Sequence, residues 1–160
     1  MRRRLPGAVS YRSSLLPEPR LCHADSDAVA AMILDLVAEA ANDMPNGGGE
    51  LVVGTRQCTI DQTATVEFPG SVPGDYVRVT VKDSGCGLSA ERLEHIFYPE
   101  KTARPAVAAA WQSTHRLGGF AAVESAEGVG TAVHLYFRRA VETGESAEAP
   151  ITDDFLKAAE

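Results

Sequence analysis

The sequence predicts an α/β fold, a two-layer sandwich in which helices pack on one face of a β-sheet. Three observations predict it. Apolar residues recur at helical spacing over 27–43, and valines alternate with polar residues over 76–82. The elements also follow the order helix, several strands, two helices and two strands. Half-buried alternation in the strands indicates a sheet with one covered face and one face exposed to water.

The first helix is predicted over 27–43, with Asp25 or Ser26 as its N-cap. A proline and successive glycines end it, because neither residue type continues a helix well. Alternation predicts a strand over 51–55 and favours 63–68 as its neighbour in the sheet. A hairpin-like connection rich in Pro and Gly follows.

The second half of the chain has clearer boundaries. The strand over 76–82 has the cleanest alternation, and a glycine-punctuated turn leads from it to a short helix over 89–97. An Ala-rich helix over 105–117 begins with proline, which suits a first helical turn, and ends before two glycines. Two final strands are predicted over 120–125 and 131–138.

Composition limits what the chain can do. Its 160 residues suit one domain with a core, and a net charge of −7 argues against a nucleic-acid groove, which needs clustered Lys and Arg. No apolar stretch approaches the ~20 residues of a membrane span, so we expect no membrane crossing and a cytoplasmic protein. Cys22, Cys58 and Cys86 lack metal-ligand spacing and are expected to be reduced.

Domain boundaries follow from shifts in composition. Residues 1–20 carry Arg and Pro before a clear pattern begins, and we interpret them as a flexible leader. The predicted domain covers 21–139. Residues 140–160 are rich in Glu and Ala and are interpreted as an acidic linker or tail, in which 153–159 could form a short helix.

Polar residues form a stripe on the first predicted helix. Asp35, Glu39 and Asn42 are four and three residues apart, which places them on one helix face. Carboxylate and amide oxygens in such a stripe can hold Mg²⁺, which prefers oxygen ligands. A solvated helix face explains the same pattern.

A second polar group ends the strand over 76–82. Asp83 opens the segment Asp-Ser-Gly-Cys-Gly-Leu, in which Gly85 and Gly87 permit backbone angles and close approaches that a Cβ would block. An aspartate here can accept a hydrogen bond from the exocyclic amine of adenine. A tight turn stabilised by the aspartate side chain is the alternative.

Four segments of the chain resemble motifs of the GHKL ATPase superfamily, in the form found in histidine kinases, and they occur in the same order along the chain as in that family. The segment from Asp83 matches the first glycine box of that family, Asp-x-Gly-x-Gly, in full. Residues 33–48 resemble its N box, 93–99 resemble its F box, and 117–137 resemble its closing helix and hairpin. The resemblance implies the Bergerat fold, a mixed sheet under helices with ATP between them.

The resemblance also implies roles for single residues. Asp83 would contact the adenine amine, and Gly85 and Gly87 would shape that pocket. Glu39 stands where the N box has the asparagine that binds Mg²⁺, so Glu39 and the preceding Asp35 would be catalytic, with Glu39 as the metal ligand. Asn42 and Asp43 follow at cofactor-binding positions, in place of the family's usual Asp and Ala. ATP and Mg²⁺ are the implied cofactors, and either could have been lost.

The chain departs from the family pattern after the F box. No glycine occurs between Gly87 and Gly118, so the second glycine box is absent and the lid that precedes it is shortened. In the family the amides of that box hold the phosphates, as helix N-termini do generally. Lys101 or Arg104 could supply point charges instead, or both could be exposed loop cations.

None of the four histidines has the helical setting of a phosphoacceptor, so the resemblance implies a separate histidine phosphoacceptor protein or a receiver domain as partner. Three functions stay open. The chain could be a weak ATP-binding domain, or a fragment of a longer kinase. It could also be a non-catalytic docking module, like the degenerate ATPase-like domain of some phosphotransferases. Weakened or lost phosphotransfer is expected in each.

Overall fold

The computed structural model describes residues 9–18, 20–44 and 48–140. The first eight residues of the predicted leader, and the predicted tail from 141 onward, lie outside the described residues. The elements in chain order are β1 (Val9–Ser14), α1 (Ser26–Asn42), β2 (Gly49–Ile60), β3 (Gly74–Asp83), α2 (Ala90–Glu94), α3 (Pro105–Arg116), β4 (Phe120–Ala126) and β5 (Gly130–Arg138).

The strands form one five-stranded sheet in the order β1-β2-β3-β5-β4. The β1–β2 pair is parallel and the other pairs are antiparallel, so the sheet is mixed. Helices α1 and α3 pack together on one face of β3 and β5, over the main core. The predicted two-layer α/β sandwich is confirmed. No helix in the described part of the chain is long and apolar enough to cross a membrane.

The predicted leader over residues 1–20 is not flexible at residues 9–14, because these residues form strand β1. Val9–Ser14 pairs with β2 in parallel register, from Val9 opposite Gly49 to Ser14 opposite Gly54. Val9 and Tyr11 pack against the main core, whereas Ser10 between them is exposed and points to the other face. Two apolar side chains are too few to give a periodic signal, so the pairing is set by the neighbouring strand rather than by local sequence.

Helix α1 forms largely where it was predicted. The Asp25 carboxylate accepts hydrogen bonds from the amides of Asp27 and Ala28, at 2.9 and 3.0 Å, which satisfies two otherwise unpaired donors of the first turn. Leu36 and Ala40 are almost fully buried against the sheet. The buried stripe fixes which face of α1 remains for polar side chains.

The strand predicted over 63–68 does not form. Strand β2 instead continues to Ile60, and the chain then makes a 3₁₀ turn at Ala64–Val66. The Asp61 carboxylate accepts a hydrogen bond from the Ala64 amide at 2.8 Å, and such a local bond competes with strand pairing. This connection brings Phe68 against Phe120 and Tyr136.

These aromatic rings also cover part of the sheet face that was expected to be exposed to water. Tyr76, Phe120 and Tyr136 form a second apolar cluster with Ile60, and the Phe120 and Tyr136 rings stack at 4.2 Å between centroids. Strand β5 is therefore buried on both faces over most of its length.

Helix α2 is also shorter than the predicted 89–97 and spans only Ala90–Glu94.

His134 lies in this buried part of β5 and gives a prediction about pH. Its Nδ1 is 2.8 Å from the Thr80 hydroxyl, and its Nε2 is 3.6 Å from the exposed carboxylate of Glu124. Burial lowers the pKa of His134, and the Arg78 charge lowers it further, whereas Glu124 acts in the opposite direction. The unfolded state therefore takes up this proton at a higher pH than the folded state does.

The free energy of unfolding should consequently fall on acidification below pH ~6.5, by at most about 1.4 kcal/mol per pH unit. It falls because the unfolded chain gains a proton on this histidine that the folded chain does not take up. Replacing His134→Asn removes the titrating group and keeps a polar partner for Thr80. We expect the unfolding free energy of the variant, measured in urea between pH ~7.5 and ~5.5, to fall less steeply than that of the unmodified protein. Parallel profiles would contradict the role assigned to His134.

Candidate functional site

Asp83 ends β3 and is 3% exposed. Its Oδ1 accepts hydrogen bonds from the backbone amides of Gly85, at 2.9 Å, and Thr131, at 3.3 Å. The tight turn named above as an alternative therefore exists. The other oxygen, Oδ2, remains for a second partner.

Both glycines of the Asp-x-Gly-x-Gly segment allow close backbone contacts. Gly87 has a φ of +67°, and a Cβ there would overlap the carbonyl oxygen of Ala126, the last residue of β4. A Cβ on Gly85 would lie 2.9 Å from the carbonyl oxygen of Asp43. The glycines thus let this turn pack against the β4–β5 turn and the end of α1. Their contact with a nucleotide stays a prediction.

Arg104 fills the space between these elements. It precedes α3, and its side chain is only 4% exposed. Its Nη2 lies 3.2 Å from Asp83 Oδ2, and its Nε lies 3.2 Å from Glu39 Oε1 and 3.1 Å from Asp43 Oδ2. One guanidinium therefore joins the end of β3 to the last turn of α1.

The surrounding carboxylates keep Arg104 in its charged form. Burial by itself lowers the pKa of Arg104, but the carboxylates of Asp43, Asp83 and Glu39 more than offset burial and raise it above the ordinary value. The alternative of an exposed loop cation was wrong for Arg104. Lys101 is exposed, and its Nζ lies 5.6 Å from the centre of the Tyr98 ring.

Glu39 makes a further contact through its second oxygen. Glu39 Oε2 accepts a hydrogen bond from the backbone amide of Ala106 at 2.8 Å. Ala106 is the second residue of α3, so the carboxylate satisfies a free donor at the N-terminus of this helix, where negative charge is favoured. Both oxygens of Glu39 are thus engaged within the chain.

The structure brings together only part of the predicted site. Glu39, Asp43 and Asp83 meet at Arg104, but Asp35 and Asn42 are exposed on α1 and take no part in this ion-pair cluster. The predicted stripe is therefore divided, since Glu39 turns towards α3. The roles given to Asp35 and Asn42 in catalysis and cofactor binding stay predictions.

Arg104 is the site residue whose position sequence reasoning missed. The available signal was an excess of carboxylates near buried elements, because a buried carboxylate needs a cation or several hydrogen-bond donors. The sequence does not say which cation supplies the charge, since Arg104 is 21 residues from Asp83 and 65 from Glu39.

These residues do not fit a bound Mg²⁺ as they stand. Among the described residues no group of three or more His, Cys, Asp or Glu side chains is placed to hold a metal ion. Glu39, the predicted metal ligand, already contacts Arg104 and the α3 amide. A cation at Glu39 would have to displace the guanidinium.

Comparison with known proteins identifies the fold and the family. The "Sensor kinase CckA" of Brucella abortus (strain 2308) is 27% identical over 135 residues, which are 80% of this chain and 14% of that protein. Among solved structures, the "Mycobacterial sensor histidine kinase MprB" matches with a TM-score of 0.56 and 18% identity, over 84% of this chain and 86% of that one. Full-length ShkA in complex with AMPPNP matches with a TM-score of 0.61 and 17% identity, over 82% of this chain and 26% of that one.

The chain therefore spans only a small part of the sensor kinase that it resembles in sequence. A family model covers residues 24–141, which is most of the chain and includes every residue of the Arg104 cluster. This chain belongs to the family of histidine kinase-, DNA gyrase B- and HSP90-like ATPases.

Proposed function

We propose that this chain is a histidine-kinase-like domain of two-component signal transduction that has lost phosphotransfer. On this proposal it acts as a non-catalytic module that docks a histidine phosphoacceptor protein or a response-regulator receiver domain. Its likeness to sensor kinases supports the setting. The contacts of Glu39 support the loss of catalysis.

The observation that carries the proposal is the 2.8 Å hydrogen bond from the Ala106 amide to Glu39 Oε2. In the family the corresponding helix N-terminus would receive the phosphates, because its free amides and dipole favour an anion. Here the anion is a side chain of the protein. A triphosphate would meet a carboxylate at the place where it needs a donor.

The segment before α3 supports the same conclusion. Only ten residues, 95–104, separate the end of α2 from Pro105, and none is glycine. Thr102 donates its amide to the carbonyl oxygen of Tyr98 at 2.9 Å, so part of this segment is a tight turn. Phosphoryl transfer depends on positioning and on donors aimed at developing charge, and a segment without glycine has no glycine-rich loop whose backbone amides could cradle a γ-phosphate.

Calorimetric titration with Mg-ATP tests the loss of nucleotide binding. We expect no saturable heat at millimolar nucleotide, under conditions in which an active ATPase domain of the same family does bind. Saturable binding that Asp83→Ala abolishes would overturn the proposal and favour a working ATP site.

Docking is tested with phosphoacceptor proteins and receiver domains encoded in the same genome. The proposal expects that one of them binds the full chain and that adding Mg-ATP leaves its affinity unchanged. Binding that requires Mg-ATP would contradict a nucleotide-independent module.

A further inference from the structure

We propose that the Arg104 side chain is an internal competitor that excludes adenine from this domain. The inference rests on the proposed loss of nucleotide binding and names the group responsible at the base-binding end. Glu39 acts separately, at the phosphate end of the site.

Competition arises at a single oxygen atom. Oδ1 of Asp83 already accepts two backbone amides, from Gly85 and Thr131, and so has no free lone pair. Oδ2 is the remaining acceptor, and Arg104 Nη2 lies 3.2 Å from it. An exocyclic amine of adenine would need the same oxygen, so amine and guanidinium cannot both be bound there.

Arg104 has two advantages over a free ligand. It belongs to the same chain as Asp83, so it loses no translational freedom when it binds that carboxylate. Its charge is also balanced by Glu39 and Asp43 as well as Asp83, in a setting where its side chain is 4% exposed. Displacing a buried, paired guanidinium should weaken nucleotide binding about 10²- to 10³-fold.

The two ends of the site are closed in different ways. At the base-binding end, only the Arg104 side chain blocks Asp83 Oδ2. At the phosphate end there is no glycine-rich loop, and the Glu39 carboxylate accepts the Ala106 amide of α3. Removing the Arg104 side chain should therefore reopen only the base-binding end. The ligand that such a variant accepts is an adenine nucleoside, and phosphates should add nothing to its affinity.

The test uses the full chain with the double change Arg104→Ala and Asp43→Asn, which removes the guanidinium and one surplus negative charge. Circular dichroism checks the fold, and adenosine binding is measured by calorimetry. We expect affinity for adenosine at least tenfold above that of the unmodified protein, independent of Mg²⁺, with ATP no tighter than adenosine. Inosine, which carries a carbonyl in place of the amine, should not bind, and adding Asp83→Asn should abolish adenosine binding.

Arg104→Lys keeps the inference testable if the double variant does not fold. Lysine retains the charge but cannot reach Asp83 and Glu39 with one planar fork, so this variant should bind adenosine more tightly than the unmodified chain does. Folded variants that bind adenosine no better than the unmodified chain would overturn the inference and leave the proposed function standing. Binding of Mg-ATP by the unmodified chain would instead defeat the proposed function.

Discussion

Replacing Arg104→Ala is expected to lower the free energy of unfolding by about 3–5 kcal/mol. The change leaves Asp83, which is 3% exposed, and Glu39 without their cation, and an uncompensated buried charge is strongly destabilising. Asp43 adds less because its side chain is 35% exposed and partly screened by solvent. Urea unfolding monitored by circular dichroism measures the difference.

Arg92→Ala is the matched control, because Arg92 is an exposed arginine on α2 and its loss should cost less than about 0.5 kcal/mol. Adding Asp83→Asn to Arg104→Ala should recover part of the lost stability, since it removes one buried charge. A cost for Arg104→Ala no larger than that for Arg92→Ala would show that the cluster contributes nothing to the fold.

Gly87→Ala is expected to destabilise the protein by about 3 kcal/mol or more, from left-handed backbone strain and overpacking together. Gly87 has a φ of +67°, and its Cβ would overlap the carbonyl oxygen of Ala126, which is backbone and cannot move aside cheaply. Thermal and urea unfolding both report the loss.

Gly128→Ala separates the two causes. Gly128 has a φ of +75°, but a Cβ there would meet nothing within 4 Å, so this variant should show only the strain, about 1–2 kcal/mol. Equal losses for the two variants would mean that the close approach to Ala126 is unimportant. The structural role of Gly87 would then come from its backbone angle alone.

How far the sequence predicted the fold depended on periodicity. Helix α1 and strand β3 each carry a long repeat, and both form within a few residues of their predicted bounds. Strand β1 has only two inward apolar residues, and its pairing with β2 depends on a partner 40 residues away. The stretch 63–68 reads as a strand, but the bond from the Ala64 amide to Asp61 turns it into a connection over the aromatic cluster.

Only part of the candidate site could be predicted from the sequence. Motif spacing singled out Glu39 and Asp83, and the structure places both against one guanidinium. Which cation meets them is a tertiary fact, because Arg104 is brought there by the packing of α3 on α1. Local sequence at Arg104 shows only a loop residue before a helix that begins with proline.

Exclusion of nucleotide depends most on whether Arg104 stays bound to its carboxylates when nucleotide is offered. Nuclear magnetic resonance can follow its Nε–H group directly, with Arg104→Lys assigning the signal and exposed Arg92 as reference. We expect the Arg104 Nε–H to exchange with solvent far more slowly than that of Arg92, and to keep its chemical shift in millimolar Mg-ATP. An Arg104 signal that exchanges as fast as Arg92, or that moves progressively as Mg-ATP is added, would contradict the account.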